Sequence, residues 1–479
     1  MELDHDVCYA ISRSRDERFD GRFFIGVITT GVYCRTVCPA RCPLPENMRF
    51  YPTAAAAAAA GFRPCLRCRP EAAPGTPAWQ GPPAVVSRAL QLIAEGFLDE
   101  AGVEGLARRL HVSPRQLRRL FVQQVGASPI AVAQTRRVHF AKTLIDETSL
   151  PMVEVAFSAG YSSIRRFNAS FARAYGRAPS QLRRRRARPV EESRTVDLRL
   201  AYRPPFDWPA LAHFFQARAI PGVEAVDERA YRRTVQLGGA GGVIEVRPLE
   251  GRRQLRLSVP YDLAPHLAAI VERVKRMFDL RADPASYTEQ LAADPLLRPL
   301  VCARPGLRLA GAWDGFELAV RAILGQQISL RAANTLAGRL VQAHGTPLAA
   351  PHGDLCRLFP TPERLAEARL DGAGILPRRA ETIRRLARAV AEGELSFATA
   401  PGLDQAVADL IGLPGIGPWT AHYIALRAFG EPDAFPSGDL ALRRRMGALA
   451  GRPFTEAALR RQAEAWRPWR AYATLHLWA

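Results

Sequence analysis

Leu413-Pro414-Gly415-Ile416-Gly417-Pro418-Trp419-Thr420-Ala421 decides the architecture of the largest part of the chain. Gly415 and Gly417 break one helix into a tight turn, and Pro418 suits the first turn of the next. Such a hairpin between two helices points backbone N–H groups at a single DNA phosphate. It predicts DNA contact and no particular reaction. Asp439 follows 22 residues after Gly417, in AFPSGDLALRRRM. A lone Asp there either caps the helix starting at Leu440 or carries chemistry. From about residue 283 onward the reading is helical. Residues 196–260 instead alternate in the β manner, with a hairpin at Gly238–Gly242.

Further toward the N-terminus, residues 103–125 read VEGLARRLHVSPRQLRRLFVQQV. A short helix runs through Ala107 and a turn falls at His111–Val112. Ser113 then N-caps a second helix with Pro114 in its first turn. The polar face of that helix carries Arg115, Gln116, Arg118 and Arg119. The pattern recurs at 153–175, VEVAFSAGYSSIRRFNASFARAY, where Gly160 makes the turn. The helix after it offers Ser163, Arg165, Arg166 and Asn168. Short helix, turn, then an Arg/Gln/Asn-bearing helix is the helix-turn-helix geometry that reads the major groove. One copy would mean little, since many helical hairpins are structural. Two copies share the segment 85–186, with its 17 basic and 7 acidic residues, and point to double-stranded DNA.

Near the N-terminus stand Cys34-x3-Cys38 and Cys65-x2-Cys68, with 26 residues between the pairs. Two close cysteine pairs around a short insert are the pattern of a tetrahedral zinc site, predicting one Zn2+ per chain. The plainer reading is a structural zinc. The first pair follows a strand-like run, Phe23 to Thr29. The second follows Ala54 to Ala60, a short helix that Thr53 can cap and Gly61 can end. Cys42 reads as a spare thiol and Cys8 as a core residue.

The 479 residues are 48% hydrophobic and 23% charged, an ordinary globular balance that excludes disorder as the main state. No apolar run reaches the length of a membrane span, and the opening MELDHDVCYA lacks a secretory h-region. Six of the eight cysteines fall between Cys8 and Cys68. A secreted disulfide scaffold would spread them, so a reducing cytoplasm is expected. The net charge is +20, and only Lys142 and Lys275 among 66 basic residues are Lys. Arg-rich coding explains part of this; a polyanionic partner explains its concentration in 85–186. Breaks at 73–83 and 183–193 divide the chain. The expected fold is multidomain, mainly α with α+β parts. A small α/β zinc domain spans 1–75 and an all-α double helix-turn-helix domain 85–186. A β-sheet subdomain spans 196–282 and a helix-hairpin-helix domain 283–479.

Three resemblances sharpen this reading. TTGVYCRTVCPARCPLPENMRFY (29–51) with AAAGFRPCLRCRPE (58–71) resembles the N-terminal zinc domain of the Ada family of alkylation-response proteins. The resemblance implies that Cys34 accepts a methyl group from a methylated DNA phosphate. It also implies that Cys38, Cys65 and Cys68 complete the ligand set, and that Thr30, Arg41 and Arg63 flank DNA. The stretch Ala156–Pro179 resembles the AraC family of transcription regulators, implying promoter DNA and RNA polymerase as partners. PPFDW, ARPGLRLAGAWDGFELAVRAILGQQIS, LPGIGPWTAHYIALR and WRPWRAYATLHLW resemble the 3-methyladenine DNA glycosylase II (AlkA) family.

That last resemblance places Asp439 at the catalytic position, Phe214, Trp419, Tyr423 and Trp478 around a flipped base, and Gly415 and Gly417 in the DNA hairpin. Gln327 stands where the family has a DNA-wedging leucine, and Gly438 replaces an acidic neighbour of the catalytic Asp. Trp419 stands where bifunctional relatives carry a Schiff-base Lys, so hydrolysis without strand cleavage is expected. The Pro-Cys-His-Arg motif of a guanine-O6 methyltransferase is absent, so direct repair of that lesion is not expected. The sequence shows no dimerisation heptads, and a monomer is expected. The rival reading is a regulator with a structural zinc and a damage-binding, non-catalytic C-terminal part.

Overall fold

The computed structural model describes residues 3–16, 19–73, 84–183, 195–397 and 402–479. The two expected breaks lie, apart from Ala73 and Arg183, outside the described residues. Packing divides the chain into two compact units: Met1–Arg203 with Leu249–Glu272, and Pro204–Pro248 with Arg273–Ala479.

The first unit opens with α1 (His5–Ser14), capped by the Asp4 carboxylate. A sheet of order β3-β1-β2-β4 follows, built from β1 (Phe24–Val27), β2 (Val32–Cys34), β3 (Met48–Tyr51) and β4 (Arg63–Pro64). The tight turn at Gly31 brings β2 back antiparallel to β1, so that Ile25 faces Cys34. β4 runs parallel to β2, with Val32 opposite Arg63, which delivers the second cysteine pair beside the first. α2 (Ala54–Ala59) forms as expected, with the Thr53 hydroxyl accepting from Ala56 N at 3.0 Å.

Eight helices occupy the described residues 84–183: α3 (Ala84–Glu95), α4 (Phe97–Glu100), α5 (Val103–Arg109), α6 (Pro114–Val125), α7 (Pro129–Glu147), α8 (Met152–Ser158), α9 (Ile164–Tyr175) and α10 (Pro179–Leu182). α5–α6 and α8–α9 are the two helix-turn-helix pairs, and the 19-residue α7 joins them. Ser113 caps α6 as read from the sequence, and Ser163, read as a DNA-facing residue of the second helix, is the cap of α9. Gly160 is required twice over. Its φ is +88°, and a Cβ there would lie 2.1 Å from an Asp99 oxygen. That carboxylate is held by Arg136 at 2.9 Å and Arg137 at 2.7 Å. β5 (Thr195–Ala201) pairs antiparallel with Gln254–Pro260 in the same unit.

In the second unit, strands Glu224–Val226, Tyr231–Leu237 and Ala240–Pro248 form an antiparallel ladder that turns at Gly238 and Gly239. Two departures from the sequence reading appear. Residues Trp208–Gln216, expected within a β region, form a helix. Asp207 caps it by accepting from Ala210 N at 3.0 Å, and Pro209 occupies its first turn. Within the region expected to be helical, Thr346–His352 pairs with Leu355–Leu358. Pro347 and Pro351 exclude a helix there, and Gly353 makes the turn. The remaining unit is helical, and the hairpin helices are Leu403–Ile411 and Pro418–Ala428.

Candidate functional sites: a thiolate metal centre and an aromatic carboxylate pocket

In the first unit the sulfurs of Cys34, Cys38, Cys65 and Cys68 all lie within 4.8 Å of one another. Tetrahedral Zn–S bonds of about 2.3 Å put sulfurs about 3.8 Å apart, so the cluster fits zinc. Four soft thiolates also match zinc by donor chemistry. Backbone hydrogen bonds set this geometry. Cys65 N donates to Tyr33 O at 3.0 Å, Cys38 N to Arg35 O at 3.2 Å, and Arg69 N to Cys65 O at 3.1 Å. Arg35 N donates to the Cys68 sulfur at 3.4 Å, and the Arg35 guanidinium is fixed by Asp20. Cys8 is buried in the core, and burial, helped by Asp4, pushes its thiol up to about 11.

A cleft opens beside the cluster, lined by Thr30, Cys34, Cys38, Arg41, Cys42 and Cys65 among others. Thr30, Arg41 and Arg63 are exposed, and Arg63 sits at the start of β4. Cys42 lines the cleft but stands outside the four-sulfur cluster. Tyr33, next to the nucleophile candidate, has its hydroxyl 2.6 Å from His139 Nε2 on α7. Glu71 and Arg69 beside the cluster meet Lys142, Asp146 and Glu147 on the same helix. This junction was not legible in the sequence.

Arg115, Gln116, Arg118 and Arg119 on α6 are exposed, as are Arg165, Arg166 and Asn168 on α9. Arg118 is paired with Glu104 at 3.0 Å. The Ser163 oxygen is engaged as the cap of α9, accepting from Arg166 N at 3.3 Å.

In the second unit, Trp419, Tyr423 and Arg427 lie four residues apart on one helix and share a face. Trp419 stacks on Tyr423 with ring centres 5.4 Å apart, and Trp478 lies 6.2 Å from Tyr423. The Trp419 Nε1–H donates to Asp439 Oδ2 at 2.9 Å. Asp439 Oδ1 accepts from Leu442 N at 3.0 Å, so the residue caps the following helix while its other oxygen faces the aromatic group. The cap read from the sequence is present, and it leaves Asp439 Oδ2 facing the indole. Two guanidiniums join Phe214 to this group. Arg218 lies 3.6 Å from the Phe214 ring centre, and Arg427 lies 4.9 Å from Phe214 and 5.6 Å from Tyr423. Burial would raise the Tyr423 phenol, but Arg427 and Arg218 outweigh it and hold the group down at about 8.

The hairpin is tightly built. Gly415 has a φ of +98°, and a Cβ there would lie 2.0 Å from Thr382 Oγ1. Gly417 caps the Pro418–Ala428 helix and has open space around it. Gln327 is exposed with a φ of 54°, a left-handed conformation uncommon for a non-glycine residue. Its neighbour Gln326 anchors this loop by donating to Gly415 O at 3.0 Å and Thr420 Oγ1 at 3.1 Å. Beside Gly438, the Glu456 carboxylate is held by Ser437 at 3.0 Å and Arg460 at 2.7 Å. Sequence reasoning missed Gln326, Arg218 and Arg427. The i, i+4, i+8 spacing of Trp419, Tyr423 and Arg427 was the one available signal.

Fold and sites together define a helix-hairpin-helix DNA repair protein fused to a thiolate zinc domain and paired helix-turn-helix units. Four family models match in turn: the metal binding domain of Ada (7–71), a helix-turn-helix domain (106–185), the AlkA N-terminal domain (197–314) and the HhH-GPD superfamily of base excision DNA repair proteins (320–471). The chain belongs to the family of the probable bifunctional transcriptional activator/DNA repair enzyme AlkA of Mycobacterium tuberculosis. It is 44% identical to that protein over 100% of this chain and 97% of the relative. It is also 39% identical to DNA-3-methyladenine glycosylase 2 of Escherichia coli, over 58% of this chain and 95% of that one. Among solved structures, the Archaeoglobus fulgidus 3-methyladenine DNA glycosylase covers 58% of this chain at 25% identity and a TM-score of 0.50.

Proposed function

We propose that this protein repairs alkylated DNA by two chemistries and reports the damage by activating transcription. The observation that carries the reading is the coexistence of the cleft-facing four-thiolate cluster and Asp439 bonded to the aromatic group. Bound zinc would keep its sulfur ligands anionic and nucleophilic at neutral pH. Cys34 Sγ attacks the methyl carbon of a methyl phosphotriester. A C–S bond forms, the C–O bond breaks, and the phosphodiester leaves as an anion. The thioether is stable, so each protein molecule reacts once. Arg41, Thr30 and Arg63 steady the phosphate. The reaction removes one negative charge facing DNA, which strengthens binding through α6 and α9.

At the second site the nucleotide is flipped between Trp419, Tyr423, Trp478 and Phe214. Gln327 fills the gap in the duplex, and Gly415 and Gly417 hold a backbone phosphate. Asp439 stabilises the positive charge developing on the sugar and orients water toward C1′. Its ties to Trp419 and Leu442 fix that orientation. Hydrolysis proceeds without strand cleavage, because a Schiff base needs an amine. Lys142 is buried beside Glu71 and Asp146 in the first unit, and Lys275 lies in the helix Leu267–Met277. The four domains read from the sequence (1–75, 85–186, 196–282 and 283–479) are the functional divisions. RNA polymerase is the partner for activation, and the protein works as a monomer in the cytoplasm. Among the described residues no helix is long and apolar enough to cross a membrane.

The test follows one label. Zinc-loaded protein is incubated with DNA carrying radiolabelled methyl groups. The reading expects label on a Cys34 peptide and labelled purines free in solution, with the strands intact. Label only in free bases makes the zinc structural. Label only on protein makes the second unit a damage-binding module. Nicked strands before any alkaline or amine treatment would overturn hydrolysis alone.

A further inference from the structure

Phe214 and Tyr423 invite the expectation that their faces attract the positive charge of an N-alkylated purine. The structure shows those rings already engaged by the protein's own cations. Arg218 lies 3.6 Å from the Phe214 ring centre, and Arg427 touches both rings. Arg427 is immobile: it donates to Ala310 O at 2.7 Å, Gly311 O at 3.2 Å and the Tyr423 hydroxyl at 2.9 Å. Arg218, just beyond the end of the Trp208–Gln216 helix, donates to Phe214 O at 3.2 Å and also hydrogen-bonds the Tyr423 side chain. A guanidinium stays charged at any working pH. A cationic base entering here therefore meets like charge, in a setting where water screens little.

We propose that Arg218, backed by Arg427, sets base selectivity by favouring lesions that are uncharged in DNA. This rests on the glycosylase reading of the second unit. A cationic base leaves as a neutral molecule and needs no help. An uncharged base must leave with the C1′–N electron pair and so becomes an anion. Two fixed cations beside it stabilise that charge. The oxygen of one water bonds to C1′, and a proton from that water ends on the departed base nitrogen. The balance is base–sugar plus water giving free base and sugar hydroxyl. Arg218 thus turns a pocket suited by its rings to cations into one that also accepts neutral adducts.

The experiment compares single-turnover release of ethenoadenine, an uncharged adduct, with that of 7-methylguanine, a cationic one, from matched duplexes. Full-length wild type, Arg218→Gln and Arg218→Lys are used. The expected result is an ethenoadenine-to-7-methylguanine rate ratio at least about tenfold lower in Arg218→Gln. Arg218→Lys, which keeps the charge, should hold the ratio within about threefold of wild type. An unchanged ratio overturns the proposal. So does a parallel fall of both rates, which marks a packing role, or a wild type confined to the cationic base. Release of neither base by wild type would instead remove the glycosylase reading beneath it.

Discussion

The two chemical centres solve opposite problems with opposite materials. In the first unit the proposed methyl acceptor is Cys34, at the end of a strand, with three further sulfurs gathered around it by short backbone turns. In the second unit Asp439 is held by a backbone N–H and an indole. On the proposed function the first centre makes a nucleophile and consumes it, while the second stabilises a charge that appears and vanishes, so it turns over. The contrast teaches that local sequence suffices for a metal centre, because its ligands are close in the chain. A pocket depends on helices distant in sequence: Phe214, Trp419 and Trp478 meet only after folding.

The largest effect should separate the centres completely. Cys34→Ser is expected to abolish methyl transfer to protein while base release in the second unit continues; mass spectrometry and free-base counting read the two outcomes. Loss of both would break the comparison. Next, Asp439→Asn should slow base release on the order of a hundred- to a thousandfold in single-turnover assays, with methyl acceptance intact. A smaller effect concerns acid. Burial, more than the nearby Arg304 charge, pushes the His476 imidazole in the second unit down to about 4. The unfolded chain takes up that proton near pH 6.5, so stability falls as pH drops from 6.5 toward 4. Between pH 7 and 4.5 the second unit should lose about 2–3 kcal/mol more than its His476→Leu variant in denaturant melts. His139 in the first unit, also held down to about 4 by burial, has the same sign. The smallest effect tests the exposed Arg118–Glu104 pair. Glu104→Gln should change stability by less than about 0.5 kcal/mol. It should nonetheless strengthen DNA binding at low salt by freeing a cation, as a salt titration of affinity would show.

Legibility followed chain distance. The cysteine pairs, both helix-turn-helix units with the Ser113 cap, and the glycine hairpin were readable, because each is a motif within a few dozen residues. The Asp439 cap was readable too. The helix Trp208–Gln216 was missed because it sits among alternating strands, and its capping Asp207 and Pro209 were the only cues. The hairpin Thr346–Leu358 was missed because it interrupts a long helical region. Arg218 carried no signal and Arg427 only its helical spacing from Trp419 and Tyr423, since an arginine in so Arg-rich a chain looks like surface charge. Residues 249–272 pack with the first 203, a grouping that no shift of composition announces.

The Tyr33–His139 hydrogen bond has one further meaning. Tyr33 precedes Cys34, and His139 sits near the middle of the helix that joins the two reading heads. If Cys34 accepts the methyl group as proposed, a record of damage written once in sulfur is stored one residue from the shaft of the instrument that reads promoters. Nothing has to diffuse, dissociate or be relayed between writing and reading. The molecule that met the lesion is itself the message, and the message lasts as long as that copy of the protein does.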